Sequence, residues 1–127
     1  MLMYDITGYL KYNPELTYNG INWKRSSPEY RKSRADLLNA TDEIDKCIEW
    51  LSKYFVSNTN IVNPMSSYGL KHYVEKYFHT YISTGSLIAA VKILNLKHKE
   101  YPGDQNIYMS FKKEYFEKYK EMHNKKY

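Results

Sequence analysis

Five cations stand close together near the start of the chain: Lys24, Arg25, Arg31, Lys32 and Arg34. All three arginines of the 127 residues lie in this ten-residue stretch, and every other cation is a lysine. The bias toward Lys, Asn, Tyr and Ile points to an AT-rich coding sequence, in which arginine tends to give way to lysine. Retained arginines then indicate a need for planar, two-pronged hydrogen bonding to phosphate or carboxylate, which an ammonium does not provide. Trp23 beside Lys24 adds a surface on which a base stacks or an interface anchors. The competing use of these cations is surface pairing with Asp36, Asp42, Glu43 or Asp45, worth about 0–1 kcal/mol per pair. The candidate binding residues are therefore Trp23, Lys24, Arg25, Arg31, Lys32 and Arg34, joined by Lys92, Lys97 and Lys99 farther along, where phosphate contact is open to them.

The other residues with chemical potential are spaced unfavourably for catalysis or metal binding. His72 and His79 share a helical face, but seven residues put them about 10 Å apart, too far for one metal ion even with Cys47 nearby. Asp42 with Asp45, and Glu114 with Glu117, sit among lysines on solvated faces, with no pocket to raise one carboxyl pKa. Ser83 and Ser86, close to His79, read as helix caps rather than nucleophiles. A Gly-rich phosphate loop, a CxxC pair, HExxH and GxSxG are all missing from the sequence. The expectation is a binding protein that is not an enzyme and has no cofactor and no metal. Tyr68, Tyr73, Tyr77, Tyr81, Tyr101 and Tyr108 interleave with Lys71, Lys76, Lys97 and Lys99. Such a pattern makes either a contact surface or a core rim with its hydroxyls in water.

The elements that must position these groups follow from periodicity. Residues 1–34 show no sustained period, and Gly8, Pro14, Gly20 and Pro28 predict turns with short strands around 4–12 and 17–23. Leu37, Ile44, Ile48, Leu51 and Phe55 form one apolar stripe and predict a helix from 29 to 55, capped by Ser33 with Asp36 and ended by Ser57–Asn60. Leu70, Tyr73, Val74, Tyr77 and Phe78 predict a second helix after Ser66 or Ser67. A third, capped by Thr84, runs to about Leu94, with Ser86, Ala89, Lys92 and Ile93 on its outer face and Asn95 as a left-handed terminus. Segments 96–101 and 107–111 flank Pro102-Gly103-Asp104 as a β-hairpin, and residues 112–126 read as a last amphipathic helix.

The fold class expected is α+β and mainly helical, with helix-turn-helix-like helices followed by a hairpin and a C-terminal helix. Its organisation is an N-terminal extension over 1–34, bearing the basic cluster, and a helical domain over 35–127. Helix, turn, helix and hairpin from 66 to 111 is the layout of a winged helix-turn-helix DNA reader, although the would-be reading helix carries few groups able to address base edges.

Composition sets the bounds. A mass of 15.2 kDa allows one globular domain, and 43% hydrophobic residues are enough for a core despite a mean hydropathy of −0.73. Tyrosine supplies 15 of 21 aromatics, so much of the large apolar surface brings a hydroxyl that needs a partner when buried. The net charge of +5 argues against an acidic nucleic-acid mimic, and it is uneven: +3 over 1–34, −4 over 35–49 and +3 over 105–127. The single cysteine, the lack of a signal-like start and a longest apolar run of only Leu87 to Val91 predict a soluble cytoplasmic protein with no membrane contact.

Ser66-Ser67-Tyr68-Gly69-Leu70-Lys71-His72-Tyr73-Val74-Glu75, then Tyr81-Ile82-Ser83-Thr84-Gly85, then Leu87-Ile88-Ala89-Ala90, resembles a pattern shared by small proteins of phages, plasmids and integrative elements in low-GC Gram-positive bacteria. That pattern reads S-S-Y-x-L-K-H-x-x-E, Y-[VI]-S-N-G-x-F-I-A-A and a final N-x-Y-F, here Asn106-Ile107-Tyr108-Met109. It covers about residues 47–111, with Thr84 in place of Asn, Leu87 and Met109 in place of Phe, and Asn95 where Gly is common. The resemblance implies a mobile-element accessory protein. Such proteins commonly counter host defence, anti-CRISPR proteins among them, so the expected partner is a host defence nuclease or ribonucleoprotein such as a CRISPR effector, or its nucleic acid. The alternative is a winged-helix regulator of transcription.

Overall fold

A computed structural model describes residues 5–22, 27–54 and 64–110 and shows an α+β, mainly helical protein. Helix α1, Ile6–Lys11, starts where the Asp5 carboxylate accepts the Gly8 amide at 3.0 Å, and it buries Ile6 and Leu10. A tight hairpin follows, with β1 at Leu16–Thr17 paired antiparallel to β2 at Gly20–Ile21. Gly20 takes φ of 126°, a backbone region that side chains disfavour, while Leu16 and Ile21 turn inward. A helix and a two-stranded hairpin thus occupy the stretch where turns with short strands around 4–12 and 17–23 were expected.

The single helix predicted from 29 to 55 is two. Helix α2, Pro28–Leu38, is capped by Ser27, whose hydroxyl accepts the Tyr30 amide at 3.1 Å, with Pro28 in the first turn. Helix α3, Thr41–Tyr54, begins after Asn39 and Ala40 and places Asp42 and Glu43 at its positive end. Ser33 is therefore an internal residue of α2 and not a cap. It is buried against the hairpin, accepting the Tyr18 amide on its carbonyl at 3.0 Å and the Asn19 amide on its hydroxyl at 3.2 Å. The stripe misled because Leu37 and Ile44 are seven apart, two helical turns, so the break left the phase of the apolar residues unchanged.

Strand β3, Met65–Ser66, leads into α4, Ser67–Phe78, which is capped by Ser66 and ended by His79 in the left-handed conformation with φ of 56°. Helix α5, Thr84–Ile93, is capped by Ser83 rather than Thr84: the Ser83 hydroxyl accepts the Ser86 amide at 3.0 Å. Asn95 is left-handed, as its position predicts, with φ of 55°. Strands β4, Lys99–Glu100, and β5, Ile107–Met109, form the expected hairpin with Gly103 in its turn. Strand β3 joins its far side, so the sheet order is β3-β5-β4. The expected last helix, the end signal at 57–60 and Phe111 lie outside the described residues.

Helix α5 is the centre of the core. It packs on α3 and α4 from one side and on α1, β1 and β2 from the other. All seven residues from Gly85 to Val91 are buried, which corrects the outer face assigned to Ser86 and Ala89. Ala89 and Ala90 have no exposed surface, and Gly85 presses on the hairpin backbone. Ile6, Leu10, Leu16 and Ile21 belong to the same apolar cluster as Ile44, Leu51, Leu70 and Leu87. The first segment thus contributes to the core, and a boundary at residue 34 falls within α2.

Candidate functional site: a groove between α4 and the N-terminal hairpin

The nine cations and aromatics singled out from sequence have different structural roles. Trp23, Lys24 and Arg25 lie outside the described residues, between Asn22 and Ser27 in the chain. Arg31 and Lys32 are exposed on α2, with Lys32 3.6 Å from Asp36 one turn on. Arg34 is turned to the fold: its guanidinium donates to the carbonyls of Leu10, Asn13 and Leu16, tying the end of α1 to β1. The fork geometry that its retention signals is thus used on backbone oxygens. Lys92 sits between Glu15 at 3.5 Å and Glu100 at 3.1 Å, joining α5 to the loop after α1 and to β4. Glu100 also meets His98 at 2.8 Å; burial opposes its ionisation, but His98 and Lys92 together hold its carboxyl below the usual range. Lys97 and Lys99 are exposed at the hairpin.

A different constellation converges. Ser67 donates to the Asn106 side-chain oxygen at 2.8 Å and accepts the Ile107 amide at 3.2 Å, while the Tyr68 amide donates to the same Asn106 oxygen at 3.0 Å. These bonds fix the first turn of α4 against β5. One helical turn on, Lys71 is only 4% exposed. Its Nζ lies 3.3 Å from Glu75 Oε2, 4.6 Å from the Tyr81 ring centroid and 5.4 Å from that of Tyr68, a cation enclosed by one carboxylate and two aromatic faces. Glu75 Oε2 also accepts the Ile82 amide at 3.1 Å, and Oε1 meets His72 Nδ1 at 2.7 Å. Burial would raise the Glu75 pKa, but these hydrogen bonds and the Lys71 charge together bring it below the ordinary carboxylate value. Side chains from two parts of the chain therefore meet in space: Tyr68, Lys71, His72 and Glu75 from α4, and Tyr81 from the α4–α5 connection.

These side chains form one wall of an open groove of about 880 Å³. The N-terminal hairpin and the start of α2 form the other wall, with Tyr18, Asn19, Asn22, Ser27 and Glu29, and Gln105 of the β4–β5 turn also lines it. Tyr18 is held by a second half-buried carboxylate. Its hydroxyl donates to Glu43 Oε2 at 2.7 Å, and Glu43 Oε1 accepts the Ser83 amide at 2.9 Å and the Ser86 hydroxyl at 3.1 Å. Burial, then Glu43, pushes the Tyr18 hydroxyl far above its usual pKa. Ser83 is the cap of α5, as read from sequence, whereas Ser86 lies inside the helix, with its amide donating to the Ser83 hydroxyl and its own hydroxyl to Glu43; both are buried. Cys47 is buried, which drives its thiol pKa up and away from reactivity. Among the described residues no group of three His, Cys, Asp or Glu side chains is placed to hold a metal ion, and no helix is long and apolar enough to cross a membrane. The groove presents exposed aromatic rings, carboxamides and the carboxylates of Glu29 and Glu75.

The α4 wall was visible in the sequence as interleaved tyrosine and lysine. The hairpin wall was not, because Tyr18, Asn19 and Glu29 lie about 40 to 60 residues from α4 in the chain and no local period links them. Compared with protein-family models, curated proteins and solved structures, the chain finds no match in any of the three.

Proposed function

We propose that this chain is a non-enzymatic binding protein that acts on another protein, and that its target is a host defence nuclease, such as a CRISPR effector, as the mobile-element resemblance implies. The observation that carries the binding reading is the enclosure of α5. In a winged helix-turn-helix, the helix in this position enters the major groove and presents its first turns to base edges. Here those turns are buried under β1 and β2. What the surface offers instead is tyrosine-rich and amide-rich, the composition of protein contact sites. Arg31 and Lys32 add an exposed basic edge on α2, the element whose first residues line the groove.

The test is inhibition. The purified chain is added to a CRISPR effector nuclease loaded with its guide, and DNA cleavage is followed with and without Arg31→Ala and Lys32→Ala. Loss of cleavage with the wild-type chain, relieved in the double variant, supports both target and site. Full cleavage at saturating wild-type chain contradicts the target.

A second reading, a winged-helix regulator, is favoured by one specific observation, the β3-β5-β4 sheet packed beside α4. A gel shift with the element's own intergenic DNA separates the two. A sequence-preferred shift at moderate salt supports the regulator, and its absence removes it.

A further inference from the structure

The groove between α4 and the hairpin holds more binding groups than the fold uses. The Tyr68 and Tyr81 rings are 56% and 59% exposed. Each touches Lys71 with its face, yet neither hydroxyl has a hydrogen-bond partner among the described residues. On the facing wall Asn19 is exposed, and so is Gln105 at the β4–β5 turn; neither carboxamide is paired among those residues. A carboxamide donates and accepts at once, which matches the peptide unit. The volume, about 880 Å³, falls within the range of about 300–1,000 Å³ typical of ligand sites. An open groove of that size leaves one side of its ligand in water, as a strand of polypeptide tolerates.

Charge narrows the class of ligand. Lys71 is matched by Glu75, whereas exposed Glu29 in the first turn of α2 meets no cation among the described residues. Among the described residues the lining therefore has a formal charge of −1, on a chain of +5. A phosphate polymer gains least against this lining, and a cation gains the Glu29 carboxylate and the surface of the two tyrosine rings that Lys71 leaves exposed.

We propose that the groove binds an extended segment of a protein partner that presents an arginine or lysine side chain to Tyr68 and Tyr81, with Glu29 as its countercharge and Asn19 and Gln105 pairing its backbone. This rests on the reading of the chain as a protein-binding protein and names the chemistry of the segment it takes.

The test is a titration of the full, ¹⁵N-labelled chain with the blocked peptide Gly-Gly-Arg-Gly-Gly, with its glutamate counterpart, with oligothymidylate and with maltotetraose. The expected result is saturable shifts at the Asn19, Tyr68, Tyr81 and Gln105 amides with the arginine peptide. Tyr68→Ala and Glu29→Lys, both at exposed positions, weaken binding roughly tenfold each while the rest of the spectrum stays folded. No saturable shift, equal shifts with the glutamate peptide, or tighter binding of oligothymidylate or maltotetraose overturns the proposal. The two readings fail separately. A groove that takes the arginine peptide in a chain that leaves nuclease cleavage untouched contradicts only the target, and inhibition that survives both variants contradicts only the groove.

Discussion

The Gly85 amide donates to the Tyr18 carbonyl at 3.0 Å, and a Cβ on Gly85 would lie 1.7 Å from the Thr17 carbonyl oxygen. The first turn of α5 and the N-terminal hairpin are therefore in backbone contact, and no side chain fits between them. This contact makes the first segment of the chain part of the core and covers the first turn of α5. Gly85→Ala must push the hairpin away and lose the hydrogen bond, so it is expected to destabilise the protein by about 3 kcal/mol or more. Urea denaturation measures this; a loss within about 0.5 kcal/mol, ordinary for an unconstrained surface site, would mean that the contact is loose.

Arg34 supplies the second tie. Its guanidinium reaches three carbonyls across α1 and β1, of which those of Leu10 and Asn13 also accept the Asn13 and Leu16 amides. Arg34→Ala is expected to cost about 2–3 kcal/mol, in keeping with the loss of hydrogen bonds to a charged group. Arg34→Lys recovers only part, because one ammonium does not span the fork. Equal stabilities for Arg34→Lys and wild type in chemical denaturation would contradict this role.

Glu75 gives the fold a defined acid sensitivity. Its carboxyl titrates below the usual value of 4.5 in the folded chain, against the effect of burial, because Ile82, His72 and Lys71 favour the ionised form. A carboxyl with a depressed folded pKa stabilises the protein above its unfolded pKa, and that stability is lost as pH falls through the folded value. Melting temperature is thus expected to drop as pH falls below about 4.5. Glu75→Gln is expected to melt lower at pH 7 and to show a shallower decline in acid. An unchanged acid slope in Glu75→Gln would assign the sensitivity elsewhere, for instance to Glu100, whose carboxyl is held low as well.

The sequence revealed what local rules govern. Helices α4 and α5 and the β4–β5 hairpin, with Ser66 as cap and Asn95 left-handed, follow from periodicity, capping and turn chemistry within about a dozen residues each. Helix α1 was not legible, because six residues are too few for a period and the Arg34 bonds that hold its end come from 24 positions away. Burial of Ser86 and Ala89 was equally hidden: from sequence, small residues on a helix read as an exposed face as readily as a close-packed one, and only the hairpin's contact with Gly85 decides between them. Arg34 was read as part of an outward binding surface; it uses its fork on carbonyls of the same chain, which local sequence did not indicate.

Helix α5 stays covered in the folded protein, and thiol labelling measures this. Cys47 is the only cysteine and is fully buried, so it serves as an internal clock for unfolding. Ala89→Cys places a second thiol on α5 at a position with no exposed surface. Under native conditions an aromatic disulfide reagent is expected to modify both thiols together, at the slow rate of global opening. Labelling of the residue 89 thiol many-fold faster than Cys47 in the folded protein would show that the hairpin lifts from α5, and would contradict the account.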